Sequence, residues 1–148
     1  MTRVMASGVF DLLHTGHLSY LDQARALGDE LVVVVACDST VRRKKHEPIT
    51  PQEMRARLVG SLKQVDRAIV GGEGDIYDTV REIKPDVIVL GFDQSFDEDA
   101  LREGLKAHGM GDIKVCRATE CADDLNATRR IVAKIRRMGE QDEDHRDS

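Results

Sequence analysis

Short apolar runs alternate with longer stretches in which apolar residues recur every three or four positions. Val4–Ser7, Leu31–Ala36, Ala68–Val70, Asp86–Leu90 and Ile113–Val115 are the short runs, and the longest of them is β-branched with no polar alternation. Such runs predict strands buried on both faces. The periodic stretches predict helices over 17–27, 51–62, 76–83, 96–107 and 128–138. Thr50-Pro51-Gln52-Glu53 reads as an N-cap, a first helical residue and a capping-box partner, and Ser95-Phe96-Asp97-Glu98 repeats the pattern. Gly28 and Pro85 read as helix stops.

Strands that alternate with helices imply βαβ units and a mostly parallel sheet. Right-handed crossovers then place helices on both faces. The expected fold is therefore α/β: one Rossmann-like, doubly wound sheet of about five parallel strands, in a single domain over residues 1–139. Residues 140–148 are charged, lack apolar anchors, and are expected to be a disordered tail. In such sheets ligands bind beyond the carboxyl ends of the strands, where the strand order reverses. The segment 8–17, the loop after Ala36 and the turn after Leu90 all fall on that edge.

Composition narrows the class. Aromatic residues are only 3% of the chain, so the core must be built from Val, Ile, Leu and Ala. A formal charge of −5 argues against a nucleic-acid partner. Asp exceeds Glu and Arg exceeds Lys, a balance equally compatible with a high-salt protein and an ordinary acidic enzyme. No apolar run approaches the roughly 20 residues of a membrane span, and nothing at the start resembles a signal peptide, so no membrane partner and a cytoplasmic location are expected. The three cysteines form no disulfide framework in that compartment. Cys37 reads as a small core residue. Cys116 and Cys121 have no paired histidines beside them, which argues against zinc. Cys121 can be read as a redox-sensitive or substrate-side thiol.

The chemistry concentrates in Gly8-Val9-Phe10-Asp11-Leu12-Leu13-His14-Thr15-Gly16-His17. It lies between a strand and a helix. A helix start offers unpaired N–H groups and partial positive charge, a ready anion site. Two histidines frame Gly16, whose missing Cβ leaves room for a phosphate. The implied ligand is a nucleoside triphosphate. No third metal ligand stands nearby in sequence, so no protein-held metal is expected. Asp11 reads as a brace for the turn through backbone hydrogen bonds.

Other residues admit two readings. Arg42-Arg43-Lys44-Lys45 is either a solvated basic loop or a phosphate contact, and Arg55 is a second phosphate candidate. Asp93 either shapes the turn after Leu90 or accepts hydrogen bonds from a ribose or base. Thr128 and Arg129 either open the last helix or form a second anion site.

The decapeptide resembles the signature of the cytidylyltransferase-like nucleotidyltransferases, whose HxGH motif matches His14, Thr15, Gly16 and His17. The resemblance runs over nearly the whole chain. Within it, Leu90-Gly91-Phe92-Asp93-Gln94-Ser95-Phe96-Asp97-Glu98, Pro48-Ile49-Thr50-Pro51-Gln52-Glu53-Met54-Arg55 and Cys121 are similar to the archaeal FAD synthases. The glycerol-3-phosphate cytidylyltransferases, which use CTP, carry a Gly-Asp-Asp-Trp turn and an Arg-Thr-Glu-Gly-Ile-Ser-Thr-Thr segment that this chain matches only in part, at 91–94 and at 117–128. The resemblance implies transfer of AMP from ATP to FMN, giving FAD and pyrophosphate by in-line displacement at the α-phosphate. It implies His14, His17 and Lys44 as catalytic residues, with Val9, Phe10, Thr15, Gly16, Asp93, Thr119 and Thr128 joining the histidines in binding nucleotide. It also implies a divalent cation, magnesium, and a homodimer. A non-catalytic nucleotide- or flavin-binding module is the reading from a different class. Phe92, Phe96, Tyr20 and Tyr77 are almost the only rings with which a flavin could stack.

Overall fold

The computed structural model describes the backbone of residues 1–146 and the side chains of residues 1–141. The elements follow one another as β1 (Arg3–Gly8), α1 (Thr15–Arg25), β2 (Glu30–Val35), α2 (Asp38–Lys44), α3 (Gln52–Gly60), β3 (Arg67–Val70), α4 (Ile76–Ile83), β4 (Val87–Leu90), α5 (Glu98–Ala107), β5 (Lys114–Arg117) and α6 (Thr128–Arg146). The five strands form one sheet in the order β3-β2-β1-β4-β5, and every neighbouring pair is parallel. The order reverses beside β1: the chain first winds outward through β2 and β3, then returns to β4 and β5. A crevice at the carboxyl ends of β1 and β4 follows from that reversal.

Alternation along the central strands sorts the core into two layers. Val4, Ala6, Leu31, Val33 and Val35 pack with Leu21 and Ala24 of α1 and Val59 of α3. Met5, Val32, Val34, Ile88 and Leu90 face the other way, onto Val80 and Ile83 of α4 and Leu101 and Leu105 of α5. Helices thus cover both faces, as the unbroken apolar runs require.

Several boundaries differ from the sequence expectation. The basic run 42–45 is not a loop: Arg42, Arg43 and Lys44 form the last turn of α2, where cations favour the negative end of the helix dipole. Pro51, not Thr50, caps α3, and it does so without a side-chain bond. The Thr50 hydroxyl donates instead to Asp11, 2.7 Å away. Asp97 rather than Ser95 caps α5, accepting from the Asp99 N–H. Gly28 is required by close packing, because a Cβ there would meet the Thr2 carbonyl at 2.6 Å. The last helix continues past the expected end at Met138 and through residues 140–146, where a disordered tail was expected. Glu140 to Arg146 contains no Gly or Pro, so nothing there stops a helix already nucleated. Asp147 and Ser148 lie outside the described residues. No helix among the described residues is long and apolar enough to cross a membrane.

Candidate functional site

A cavity of about 320 Å³ opens at the carboxyl ends of β1 and β4. The turn after β1 forms its floor, and the segments 91–94 and 120–129 form the facing wall. Phe10 and Leu12 hold the turn in the left-handed region, with φ of 55° and 57°. Neither is glycine, so each costs of order 1 kcal/mol or more and persists only because its surroundings over-determine it.

Those surroundings are visible. Phe10 is buried, with its ring 5.1 Å from that of His17 and 6.3 Å from that of Tyr20, centroid to centroid. The buried Asp11 carboxylate accepts from Ile49 N at 2.7 Å, Thr50 N at 3.0 Å and the Thr50 hydroxyl. Burial alone would raise its pKa, but these bonds and the nearby Arg55 hold it below the ordinary value. Its carbonyl accepts from the Thr128 hydroxyl at 2.6 Å, which ties the start of α6 to the turn.

Arg55 is fully buried and donates to the carbonyls of Thr50, Val9 and Ala36 and to the Asp38 carboxylate at 2.6 Å. Its expected phosphate contact is therefore overturned: the guanidinium stitches the β1 turn, the end of β2 and the start of α2 together. A single sequence position gives no sign that three carbonyls converge on it. Asp11, read as a brace, has that role.

His14 caps α1, and the cap is reciprocal. His17 N donates to His14 Nδ1, and His14 N donates to His17 Nδ1, each at 3.3 Å. The two rings stack at 3.7 Å between centroids. Because both Nδ1 atoms accept, each neutral ring carries its proton on Nε2. Two Nε2–H donors thus stand side by side in the cavity wall.

Burial pushes the His17 imidazole down to about 3, assisted by His14 and Lys45 and opposed by Asp11. His14 is lowered as well, by burial, with Asp93 across the cavity pulling the other way. Both rings are therefore neutral dipolar donors at neutral pH rather than standing cations. Gly16 is needed by the protein itself: a Cβ there would collide with the Asn126 carbonyl and meet the His14 ring at 2.9 Å.

The structure brings Val9, Phe10, His14, Gly16, His17, Asp93 and Thr128 into one lining. Lys44, Thr15 and Thr119 stand outside it. Lys44 Nζ lies over the Phe96 ring, 5.7 Å from its centroid, while Lys45, one residue on, lines the cavity. Thr15 is exposed one position beyond the histidine face of α1. Thr119 is held by Gln23, whose Oε1 accepts from Thr119 N at 2.9 Å.

The basic run 42–45 reads in the sequence as a phosphate contact with Lys44 singled out, and it is Lys45 that lines the cavity; sequence reasoning missed the role of Gln94. Gln94 Oε1 accepts from Gly91 N at 2.8 Å and its Nε2 donates to Ser7 O at 2.7 Å, so it fastens the β4 turn to the end of β1. Cys121 and Arg129 also line the cavity, and Phe92 is half-exposed at its edge. No group of three or more His, Cys, Asp or Glu that could hold a metal is found among the described residues. Asp93 and Glu120 offer carboxylate oxygen in the wall. That donor set suits a cation that enters on a polyphosphate better than one lodged in the protein.

The family described as Cytidylyltransferase-like matches residues 5–138. An FAD synthase of Aciduliprofundum boonei is 54% identical over 136 residues, 91% of each chain. An FAD synthase of Thermoplasma volcanium is 49% identical over 135 residues, covering 91% of this chain and 94% of its own. One from Archaeoglobus profundus is 44% identical over 148 residues, covering 97% of this chain and 95% of its own. Among solved structures, the lipopolysaccharide core biosynthesis protein from Thermoplasma volcanium superposes with a TM-score of 0.80 at 51% identity, covering 82% of this chain and 98% of that chain.

Proposed function

The chain belongs to the cytidylyltransferase-like family of nucleotidyltransferases, and from that premise we propose that it is an FAD synthase, moving AMP from ATP to the phosphate of FMN and releasing pyrophosphate. The observation that carries the reading is the stacked His14–His17 pair, with its two Nε2–H donors at the start of α1.

An oxygen of the FMN phosphate forms a bond to the α-phosphorus of ATP while the bond from that phosphorus to the bridging oxygen breaks. The electron pair leaves with pyrophosphate. A phosphate monoester dianion needs no general base, so the protein's task is alignment and charge stabilisation. His14 and His17 donate toward the α- and β-phosphates, where negative charge develops. Their neutrality costs nothing when the site is empty, and their burial strengthens each dipole. The start of α1 adds backbone N–H groups and the positive end of its dipole. Lys45 supplies the full positive charge, and Asp93 holds the nucleoside.

Asp93 and Glu120 are the wall residues that would face a divalent cation, such as magnesium, carried on the nucleotide, and such a cation would offset the charge of the triphosphate. Phe92, half-exposed at the cavity edge, is the ring best placed to stack on a planar substrate group. No protein nucleophile is used, so no covalent enzyme intermediate forms.

Pyrophosphate release measured with ATP or CTP, each crossed against FMN or glycerol 3-phosphate, tests the assignment. Only ATP with FMN responds if it is right. Release with CTP and glycerol 3-phosphate instead, or tight binding of ATP and FMN with no release, would overturn it.

A further inference from the structure

Residues 91–97 carry Asp93 yet belong to no strand or helix, so something other than a ladder must hold them. That something is one side chain from the end of β5. Arg117 Nη1 donates to the carbonyls of Gly91 at 2.8 Å, Gln94 at 3.0 Å and Phe92 at 3.4 Å, and Nη2 donates to the carbonyl of Phe96. Nε donates to Glu98 Oε1 at 2.6 Å, which fixes the plane of the guanidinium. Four carbonyls of a six-residue turn thus point at one cation. Arg117 does not line the cavity, whereas Phe92, Asp93 and Gln94 do.

We infer that Arg117 is a positioning residue for the nucleotide: by gathering the carbonyls of the 91–96 turn on the side away from the cavity, it fixes where Asp93 meets the nucleotide.

A rigid planar fork is what this arrangement needs. A guanidinium presents five N–H donors in fixed directions, while an ammonium presents three donors about one point. The Gln94 side chain also ties the turn to Ser7, and Asp97 caps α5 where the turn ends. Arg117 is the side chain that gathers the turn's carbonyls. Loss of that hub therefore leaves the sheet intact and loosens only the wall.

The inference rests on the adenylyl-transfer reading only for its choice of ATP as probe. ATP affinity of Arg117→Lys, measured by titration calorimetry without any acceptor, is expected to fall about tenfold. In turnover, KM for ATP rises to match while kcat and KM for FMN change less than about threefold. Glu98→Ala removes the acceptor at Nε, together with a longer contact to Arg102, and is expected to weaken ATP two- to threefold. Arg117→Ala is expected to recover ATP affinity when methylguanidine is added at tens of millimolar, which a purely structural role would not produce.

ATP affinity within twofold of the parent in folded Arg117→Lys would overturn the inference. So would parallel loss of ATP and FMN affinity with no rescue. Because the calorimetry needs no acceptor, a wild-type protein that binds ATP but forms no FAD would sink the choice of FMN and leave the role of Arg117 standing.

Discussion

In the wall built from residues 8–17 and in α3 behind it, Asp11 and Arg55 are buried and fully partnered, whereas the facing wall of residues 91–94 and 120–129 presents a half-exposed ring and the exposed carboxylates of Asp93 and Glu120. Among the described residues no buried side-chain N or O lacks a partner. The first wall is prebuilt around a strained turn, as a site for a charged and invariant group such as a triphosphate should be. The second wall is fastened from behind by Arg117 and Gln94 and leaves Phe92, Asp93 and Glu120 open to solvent, as a site that selects among bases and acceptors can be.

Breaking the first wall should have the largest effect. Arg55→Met strands the Asp38 carboxylate and releases the carbonyls of Val9, Ala36 and Thr50. Removing one partner of a buried ion pair costs about 3–5 kcal/mol, a large share of the roughly 5–15 kcal/mol that stabilises a domain. Urea unfolding should show the midpoint falling accordingly; a shift under about 1 kcal/mol would mean that the turn does not need this brace.

The histidines separate folding from chemistry. His17→Ala should lose about 10²–10³ in kcat, the usual cost of one well-aimed oxyanion donor. His17→Asn keeps an acceptor where Nδ1 stood and removes the Nε2 donor, so it should fold normally and lose a similar rate. Its pH response tests the buried ring. Unfolded histidine takes a proton below 6.5, while folded His17 resists until about 3. The unfolded state therefore binds more protons in that window, and stability falls as pH drops from about 6.5 toward 3. The thermal midpoint of His17→Asn should fall less steeply over the same range. Equal slopes in parent and variant would show that His17 is not held neutral.

The smallest effect belongs to the open wall. Phe92→Ala should leave the thermal midpoint unchanged, since the ring is half in solvent already. It should raise KM for the substrate it stacks on by about tenfold, the scale of one aromatic stacking contact at roughly 1–1.5 kcal/mol. Initial-rate measurements against ATP and FMN separately identify which; no change in either would remove Phe92 from the site.

The same contrast explains what could be read from the chain in advance. The strand runs and the decapeptide 8–17 are local signals, and they led to the sheet, the crevice and the two histidines. Asp11 was legible because a turn before a helix needs an acceptor. Arg55 was not, because its partners at Thr50, Val9 and Ala36 come from separate parts of the chain that only folding brings together. Lys44 and Lys45 are adjacent and alike; the helix end turns one onto Phe96 and leaves the other in the cavity wall. Thr119 has the right chemistry for a nucleotide and was claimed by Gln23 of α1 instead. The extension of α6 to Arg146 was not legible because residues 139–146 carry no apolar side chain and so leave no periodic trace in the sequence.

Gly16 admits the carbonyl of Asn126, and the hydroxyl of Thr128 closes on Asp11, 117 positions back along the chain. All five strands lie before residue 118, so the sheet is complete without the segment that closes this corner. The earliest motif of the chain is thus finished by contacts from its far end. A chain cut after β5 should yield a folded sheet whose β1 turn lacks its closing contact from Thr128.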